Sequence, residues 1–431
     1  MNKKEAIQYL LDNMNENSVL ININIGNILN NKIDPKIIEC CKLLNFTICP
    51  NGTLYDNNKQ GFMGKITEKM YEDRKKYKTK MLEYKNLYEK DKKKEYEYNI
   101  SKYHNLQLAK KIMLNSLYGT LSNEYCRWFN FYHAESITIS GQTYIKYIDK
   151  QINLYINKLL NTDNKDYIIS SDTDSVYLDL NEVVKKIIYL KPEINEITNQ
   201  NEKDITIIKY LDDFCENHIQ KMINNKFKEL SYILNVFSPR TEMKRETIAN
   251  KGIWKAKKMY ILNAWNVEGV QYDKPKLKMQ GIEAIRSSTP SACRESIKKA
   301  LEVIMGEDEQ SVIQYIEEFK KKFEALPFEQ IAFPRSVQNI NKWVNHGEIK
   351  SACPIHVRGT ILYNMFVKKY NLEAKYNLIN DGDKIKFSYM KMPNPLQNNV
   401  FATPGFLPAE LELESYIDYE KQFEKSFLEP I

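Results

Sequence analysis

The stretch "YIISSDTDSVYLDL", residues 167 to 180, places Asp172 and Asp174 one residue apart between two apolar, β-branched runs. Such runs on both sides of a short polar centre predict a strand-turn-strand hairpin with both carboxylates at its tip. Two anions this close repel each other, so they need either solvent screening, as in an Asx-stabilised turn, or a cation between them. An EF-hand calcium loop is excluded, because Val176 occupies the third ligand position and no glycine follows.

Length and composition restrict the class of protein. We expect a chain of 431 residues to fold into two or more lobes, since single cores stop growing at roughly 250 to 300 residues. No apolar run reaches the length of a membrane span and the first residues do not resemble a signal peptide, so we expect a cytoplasmic protein with no membrane partner. Seven cysteines without a C-x-x-C pair predict reduced thiols, and argue against a disulfide framework and structural zinc.

Positive charge is concentrated in two zones, although the net charge of +7 is modest. Residues 65 to 111 hold fifteen Lys or Arg against eight Asp or Glu, and residues 244 to 278 hold nine against three. The segment from 409 onward is acidic, with seven Asp or Glu against two Lys. The basic zones predict a surface that faces phosphates; the alternative for each zone is a solvated helix face.

Propensity and periodicity predict an α+β chain with a helical hairpin. Residues 65 to 99 read as one long polar helix, and a second helix is expected from Ser101, as N-cap, to Gly119. A short turn between them would make an antiparallel pair. The remaining elements are expected as helices at 134–160, 203–233 and over most of the chain after Pro290, and as strands at 167–180, 253–281, 355–365 and 384–390.

Three side chains of the second predicted helix share one face. Lys111, Asn115 and Tyr118 stand at i, i+4 and i+7 and span about 10 Å, which is the reach of a nucleoside triphosphate. Arg74 and Lys78, at i and i+4 on the first helix, would converge with Lys111 in a hairpin. Three cations would then meet a polyphosphate, with bidentate contacts from Arg74. The alternative is an exposed helix with salt bridges.

Two of these stretches resemble the motifs of a known family. "KIMLNSLYG" at 111–119 resembles the fingers motif K-x-x-x-N-S-x-Y-G of family B DNA polymerases, and "SSDTDSVY" at 170–177 resembles their palm motif D-T-D-S. Their order and spacing make the pair more specific than either motif alone. Further stretches similar to the polymerases of T-even-like phages are "CPNGTLYD" (49–56), "WKAKKMY" (254–260), "LKMQGIEAIRSSTP" (277–290), "CPIHVRG" (353–359) and "FEKSFLEP" (423–430).

This resemblance implies a polymerase palm with an antiparallel sheet, helical-hairpin fingers and a mainly helical thumb. The implied domains are an incomplete N-terminal part of the palm at 1–64, fingers at 65–120, palm at 121–273 and thumb at 274–431. The thumb would track the DNA minor groove through backbone contacts, so its affinity for DNA would depend on salt.

The activity implied by the resemblance is template-directed DNA synthesis. A primer 3′-hydroxyl attacks the α-phosphate of a deoxynucleoside triphosphate (dNTP), assisted by two divalent ions about 3.5 to 4 Å apart. Mg²⁺ suits carboxylate ligands, and Mn²⁺ is an alternative. The implied metal ligands are Asp172, Asp174 as the bridging ligand, and Glu246 in "KRET", for which a surface salt bridge is the alternative. Lys111 is implied to act in catalysis with the two aspartates.

The same resemblance implies roles in substrate binding. Arg74, Lys78 and Lys111 would hold the triphosphate, while Asn115 and Tyr118 would form the floor under the nascent base pair. The implied DNA contacts are Lys257, Lys258, Tyr260 and Lys278. "KKMY" carries Met259 where the family has arginine, which weakens the implied grip on the duplex.

One family motif is not found in this sequence. The motif D-x-x-S-L-Y-P-S, which supplies another metal ligand and the tyrosine that rejects ribonucleotides, would lie close to Met1 or before it. We therefore expect the C-terminal portion of a split polymerase, with the missing aspartate and the exonuclease on a separate N-terminal subunit. The alternatives are a catalytically inactive DNA-binding fragment or accessory subunit, and a stand-alone enzyme in which a local acid substitutes. The expected partners are primer-template DNA, dNTPs, that N-terminal subunit and, as a further candidate, a sliding clamp.

Overall fold

Two compact units make up the chain. The computed structural model describes residues 1–345 and 348–431 and confirms the α+β class. Unit 1 comprises Met1–Asn250 and Ala264–Lys276, and unit 2 comprises Lys251–Asn263 and Leu277–Ile431. This division is coarser than the predicted palm, fingers and thumb, whose boundaries remain predictions.

Unit 1 is mainly helical. Its helices are α1 (Lys3–Asp12), α2 (Ile25–Leu29), α3 (Pro35–Leu44), α4 (Phe62–Lys90), α5 (Lys94–Ser122), α6 (Phe131–Leu160), α7 (Asn181–Leu190), α8 (Gln200–Phe214) and α9 (Gln220–Ile233). Two antiparallel hairpins lie within it, formed by β1 (Phe46–Ile48) with β2 (Leu54–Asp56) and by β3 (Ile168–Asp172) with β4 (Ser175–Leu178). A π-helical turn at Cys215–Ile219 joins α8 to α9, so the helix predicted at 203–233 is one nearly continuous element.

Helices α4 and α5 form the predicted helical hairpin, but the turn lies elsewhere. The first helix ends at Lys90 and the second begins at Lys94, so the prediction of Ser101 as N-cap is wrong. The reason lies in packing between the helices. The ring of Tyr84 on α4 lies 6.2 Å from that of Tyr96 and 5.8 Å from that of Tyr103. Such aromatic contacts stabilise the extra turns of α5 by about as much as a serine cap would.

A buried stripe of α6 supports the β3–β4 hairpin. Ile148, Ile152 and Ile156 recur at i, i+4 and i+8 and are fully buried. They form a core with Tyr167, which immediately precedes β3, and with residues of α9. Burying a side chain of this size contributes roughly 1.5 to 3 kcal/mol, so this stripe fixes where the hairpin lies on α6.

The strand-like segment predicted at 253–281 is part of a sheet of three long strands. They are β5 (Thr247–Ala256), β6 (Met259–Val267) and β7 (Val270–Gln280), in the sheet order β5-β6-β7. The strand-like pattern predicted at 253–281 therefore contains two turns, at residues 257–258 and 268–269. Residues of all three strands are divided between the two units.

Unit 2 has its own core. Its helices are α10 (Ser291–Gly306), α11 (Glu309–Phe323), α12 (Phe328–Ile331), α13 (Ile355–Lys369) and α14 (Tyr419–Phe423). Its further strands are β8 (Phe333–Ser336), β9 (Val344–Asn345), β10 (Glu348–Ile349), β11 (Lys384–Tyr389) and β12 (Val400–Thr403), with β12, β11 and β8 forming one sheet in that order. The strand predicted at 384–390 is confirmed by β11.

The strand predicted at 355–365 is wrong, because this segment is the first part of α13. Val357, Ile361, Leu362 and Tyr363 are all buried. A helix that is apolar on several sides gives no clear period of 3.6 residues, and β-branched residues then mimic a strand. Gly359 lets the helix approach the sheet closely, since a Cβ there would lie 2.9 Å from the backbone nitrogen of Ala402.

Two composition-based features can be compared with the structure. Within residues 1–345 and 348–431, no helix combines the length and apolar character needed to cross a membrane. The seven cysteines are free thiols, as predicted.

Candidate active site

The tip of the β3–β4 hairpin carries Asp172 and Asp174. Asp172 ends β3 opposite Ser175, the first residue of β4, and the turn between them is Thr173 and Asp174. Thr173 has a left-handed φ of +55°, and Asp174 N donates to Asp172 O at 2.6 Å. Asp174 is exposed and Asp172 is half-buried. The turn therefore holds two carboxylates close together at the surface, with their backbone fixed by hydrogen bonds.

A third carboxylate lies behind the hairpin. Asp149 on α6 accepts a hydrogen bond of 2.8 Å from Ser171 Oγ through Oδ2. Its Oδ1 is buried and has no hydrogen-bond partner among the described residues. Burial raises the pKa of the Asp149 carboxyl, and the nearby Asp166 acts in the same direction. Asp149 thus ties β3 to α6 next to Asp172 at some electrostatic cost.

Glu246, the third predicted metal ligand, follows a strongly bonded arginine. The Arg245 side chain is only 9% exposed; it forms an ion pair with Asp212 on α8 and donates to Asn266 Oδ1 at 2.7 Å. Glu246 itself is exposed, and its carbonyl accepts from Glu268 N at 2.6 Å. Arg245 and the Glu268 turn therefore fix the backbone on both sides of Glu246.

The predicted nucleotide-binding face of α5 is open to solvent. Lys111, Asn115 and Tyr118 are exposed and lie along one face of the helix, as their spacing required. Its neighbour Lys110 faces the other way and forms an ion pair of 2.8 Å with Asp73 on α4. In the described parts of the chain, no carboxylate lies within ion-pair distance of Lys111, so this ammonium group is available for an anion.

Arg74 and Lys78, the predicted triphosphate cations of α4, differ in their surroundings. Arg74 is half-buried, and its Nε finds no hydrogen-bond partner among the residues described. Lys78 Nζ instead lies 2.5 Å from Glu268 Oε1, so its charge is already paired. Among the described residues, Arg74 and Lys111 have no ion pair, whereas Lys78 is held by a carboxylate.

The predicted DNA contacts lie on β6, on β7 and in the turn between β5 and β6, at positions assigned to unit 2. Lys257 and Lys258 form this exposed turn, with φ +62° at Lys258. Lys278 is half-exposed on β7. Tyr260 is only 6% exposed, and its hydroxyl donates to Gln280 at 2.6 Å, so its ring packs inside the protein. The turn of Lys257 and Lys258 is exposed, the Tyr260 ring is buried, and the DNA contacts assigned to these residues and to Lys278 remain predictions.

The donor chemistry of the hairpin fits a divalent ion such as Mg²⁺. This ion takes oxygen ligands, keeps several waters, and is commonly held by one or two carboxylates together with substrate phosphates. Asp172 and Asp174 supply two such carboxylates. In residues 1–345 and 348–431, no group of three or more His, Cys, Asp or Glu side chains is assembled for a metal.

Sequence reasoning missed three residues that organise this site. Asp149, Arg245 and Glu268 each act through a partner more than twenty residues away, namely Ser171, Asp212 and Lys78. Each looks like an ordinary surface charge in the sequence. Glu268 alone offered a local signal, since Glu-Gly between two strand-like runs resembles a two-residue hairpin turn.

Comparison with known proteins agrees with these motifs. The model of DNA polymerase family B matches residues 18–209, which include the α4–α5 hairpin and the β3–β4 hairpin. The DNA-directed DNA polymerase of Enterobacteria phage T4 is 33% identical over 337 residues, covering 75% of this chain and 36% of that protein. The chain belongs to DNA polymerase family B. The DNA-directed DNA polymerase of Escherichia phage RB69 is 29% identical over a stretch of the same length, with the same two coverages.

The family B match covers only part of the chain, so it includes some of the predicted site residues and leaves out others. The chain spans 36% of the length of the curated relatives described above. The family B match covers the predicted metal ligands Asp172 and Asp174 and the helix face of Lys111, while Glu246 and the lysines of unit 2 lie beyond residue 209.

Proposed function

We propose that this chain supplies nucleotide-binding residues and metal ligands of a DNA-directed DNA polymerase. The observation that carries the proposal is the presence, in one compact unit, of two distinct parts in the family B order. One is the hairpin tip with Asp172 and Asp174, and the other is the helix face with Lys111, Asn115 and Tyr118. A protein that only binds DNA has no physical need for both.

The proposed reaction joins a primer 3′-hydroxyl to the α-phosphate of a dNTP and releases pyrophosphate. Two divalent ions, when bound, would lower the pKa of the attacking hydroxyl and neutralise charge on the leaving oxygens. Asp172 and Asp174 would hold these ions, with Glu246 as a further proposed ligand. The exposed position of Asp174 at the tip supports this assignment, because a ligand there can reach a substrate.

Binding of the triphosphate is proposed for the cations of the helical hairpin. Lys111 and Arg74 support this role because they have no ion pair among the described residues, and Lys78 lies one turn after Arg74. Asn115 and Tyr118 would contact the nascent base pair. A positioned cation can stabilise charge that develops on the phosphates without reorganising at the moment of reaction.

Primer-template DNA is proposed to contact the turn of Lys257 and Lys258 and the side chain of Lys278 on β7. Contacts of this kind neutralise phosphates and release counterions, so DNA affinity would fall steeply as salt rises. Tyr260 would act by holding β6 in place, since its hydroxyl is bonded to Gln280.

A further carboxylate is proposed to come from a separate N-terminal polypeptide that also carries the exonuclease. The family motif D-x-x-S-L-Y-P-S, which supplies that carboxylate in the family, is not found in these 431 residues. The two polypeptides would together form one active site, and a sliding clamp is a further proposed partner.

The test measures incorporation of a matched dNTP into a primer-template with Mg²⁺, by the chain alone and with the N-terminal part of a family B polymerase. Asp174→Asn should lower incorporation by on the order of 10³-fold in the complemented reaction, with DNA affinity nearly unchanged. The matched control is Asp179→Asn, at the far end of the same hairpin, where the side chain caps Asn181 N at 2.9 Å. It should retain activity within about twofold.

Three outcomes would change the proposal. Full activity of Asp174→Asn would remove this residue from the metal site. Incorporation by the isolated chain would show that no partner is needed. DNA binding without any incorporation, even after complementation, would favour a DNA-binding fragment or accessory subunit.

A further inference from the structure

We propose that Glu268 competes with the nucleotide triphosphate for Lys78 and thereby sets the affinity for the nucleotide. This inference rests on the proposed function of Lys78. Lys78 Nζ lies 2.5 Å from Glu268 Oε1, with side-chain exposures of 37% and 21%. A cation that is already paired at this distance must leave its carboxylate before it can bind a phosphate.

The turn that carries Glu268 holds its carboxylate in a fixed place. Glu268 and Gly269 connect β6 to β7 with φ values of +53° and +84°, the pattern of a type I′ hairpin turn. Glu268 N donates to Glu246 O at 2.6 Å, and Gly269 N donates to Asn266 Oδ1 at 3.2 Å. The carboxylate therefore approaches Lys78 from a rigid backbone.

Glutamate is an unusual residue at the first position of such a turn. Left-handed backbone is strained for a non-glycine L-residue, and Asn, Asp or Gly is normally found there. A residue that breaks a local rule is often held for a functional reason. Here the side chain of Glu268 makes the ion pair with Lys78, which a glycine or an asparagine would not make.

The pair with Lys78 is one of several ion pairs that involve residues of α4. Arg240 pairs with Glu68 at 2.6 Å near the start of the helix, and Lys276 pairs with Glu89 at 2.9 Å near its end. Both lie away from Lys78, so they hold α4 in place without occupying a predicted nucleotide contact. Breaking one of these pairs is therefore a control: it loosens α4 but does not free Lys78 from Glu268.

The charge balance favours exchange between the two anions. A single carboxylate offers one negative charge, whereas a triphosphate with its metal offers several phosphate oxygens in reach of Arg74, Lys78 and Lys111. Partly exposed ion pairs are weak, so nucleotide can displace Glu268 at a modest loss of affinity. Removing the charge of Glu268 should recover that loss.

The experiment is a double-mutant cycle on the full chain, with the dissociation constant of dATP in Mg²⁺ buffer as readout. Glu268→Gln should tighten dATP binding about two- to fivefold, which corresponds to the usual range of such a pair. In the Lys78→Ala background the same substitution should have no effect, because the competition acts only through Lys78. The gain should shrink as NaCl is raised, since salt screens a partly exposed pair.

Two further variants are controls. Glu268→Asn suits the left-handed turn better than glutamate does, so it should fold at least as well and also tighten binding. Glu89→Gln breaks the ion pairs that Glu89, also on α4, forms with Lys276 and Lys92, and it should leave dATP affinity unchanged. Equal tightening by Glu89→Gln would overturn the inference, since it would show that loosening α4 is sufficient.

The outcomes distinguish this inference from the proposed function. Suppose that Lys78→Ala and Lys111→Ala weaken dATP binding but Glu268→Gln does not tighten it. The inference that Glu268 competes for Lys78 would then be wrong, while the proposed nucleotide site would stand. If neither lysine variant weakens binding, the proposed nucleotide site itself is wrong. A gain from Glu268→Gln that persists without Lys78 would assign the effect to another partner and also overturn the inference.

Discussion

Ser171 Oγ donates a hydrogen bond of 2.8 Å to Asp149 Oδ2, and this bond fastens β3 to α6 one residue before Asp172. Within residues 1–345 and 348–431 this is the one side-chain hydrogen bond of Asp149, whose other carboxylate oxygen is buried without a partner there. The hairpin that bears the candidate metal ligands is therefore bonded to Asp149, a carboxylate whose ionisation costs free energy.

This cost predicts how stability depends on pH. Burial raises the pKa of Asp149 in the folded protein, so the unfolded chain ionises first and Asp149 lowers stability as pH rises through and above the ordinary carboxyl range near about 4. Asp149→Asn keeps the acceptor for Ser171 and removes the charge. It should raise the melting temperature at pH 7, with a difference that shrinks toward pH 4. A difference that grows on acidification would contradict this sign.

The environment of Arg245 predicts that lysine cannot replace it. Its guanidinium bonds both Asp212 and Asn266, and a lysine ammonium lacks the planar fork that serves both. Arg245→Lys should lower the free energy of unfolding by about 2 kcal/mol or more, measured by urea denaturation. The neighbouring Lys244 forms an exposed pair of 3.5 Å with Glu242. Lys244→Met should stay within about 0.5 kcal/mol of the wild type, and an equal loss in both variants would count against the network.

Lys110 and Lys111 offer a matched pair, because adjacent lysines on one helix face different ways. Lys111→Ala should weaken dATP binding by several-fold, since it removes a cation available to the triphosphate. Lys110→Ala breaks the ion pair with Asp73 and should lower stability slightly while dATP affinity stays within about twofold. Equal effects of the two variants on the dissociation constant would return Lys111 to the role of a solvated surface charge.

Gly281 predicts a coupling between backbone geometry and DNA binding. It has φ +67°, and a Cβ there would lie 2.3 Å from Lys258 O, which no rotamer change can relieve. Gly281→Ala should therefore destabilise the protein by at least about 1 kcal/mol and displace the Lys257–Lys258 turn. Affinity for primer-template DNA and its salt dependence, measured by anisotropy, should both decrease. Gly306→Ala is the control, because a Cβ at Gly306 meets open space and the residue lies in α10.

Features that depend on short segments of the chain were predictable from the sequence. The β3–β4 hairpin follows from apolar, β-branched runs on both sides of Asp172 and Asp174, and the common face of Lys111, Asn115 and Tyr118 follows from helical periodicity. Both depend on residues within about fourteen positions of each other, so no knowledge of the rest of the chain was required. Family membership followed from the same two segments.

The remaining features were decided by tertiary structure. Ser101 failed as a cap because Tyr84 on the other helix packs on Tyr96 and Tyr103, and 355–365 became a helix because it is buried against β12. The pairing of Lys78 with Glu268 joins residues 190 positions apart in the sequence. Sequence alone determined which charges and which local backbone shapes this protein has. Only the fold decided which charges meet, because ion pairs and burial depend on distances that local periodicity does not contain.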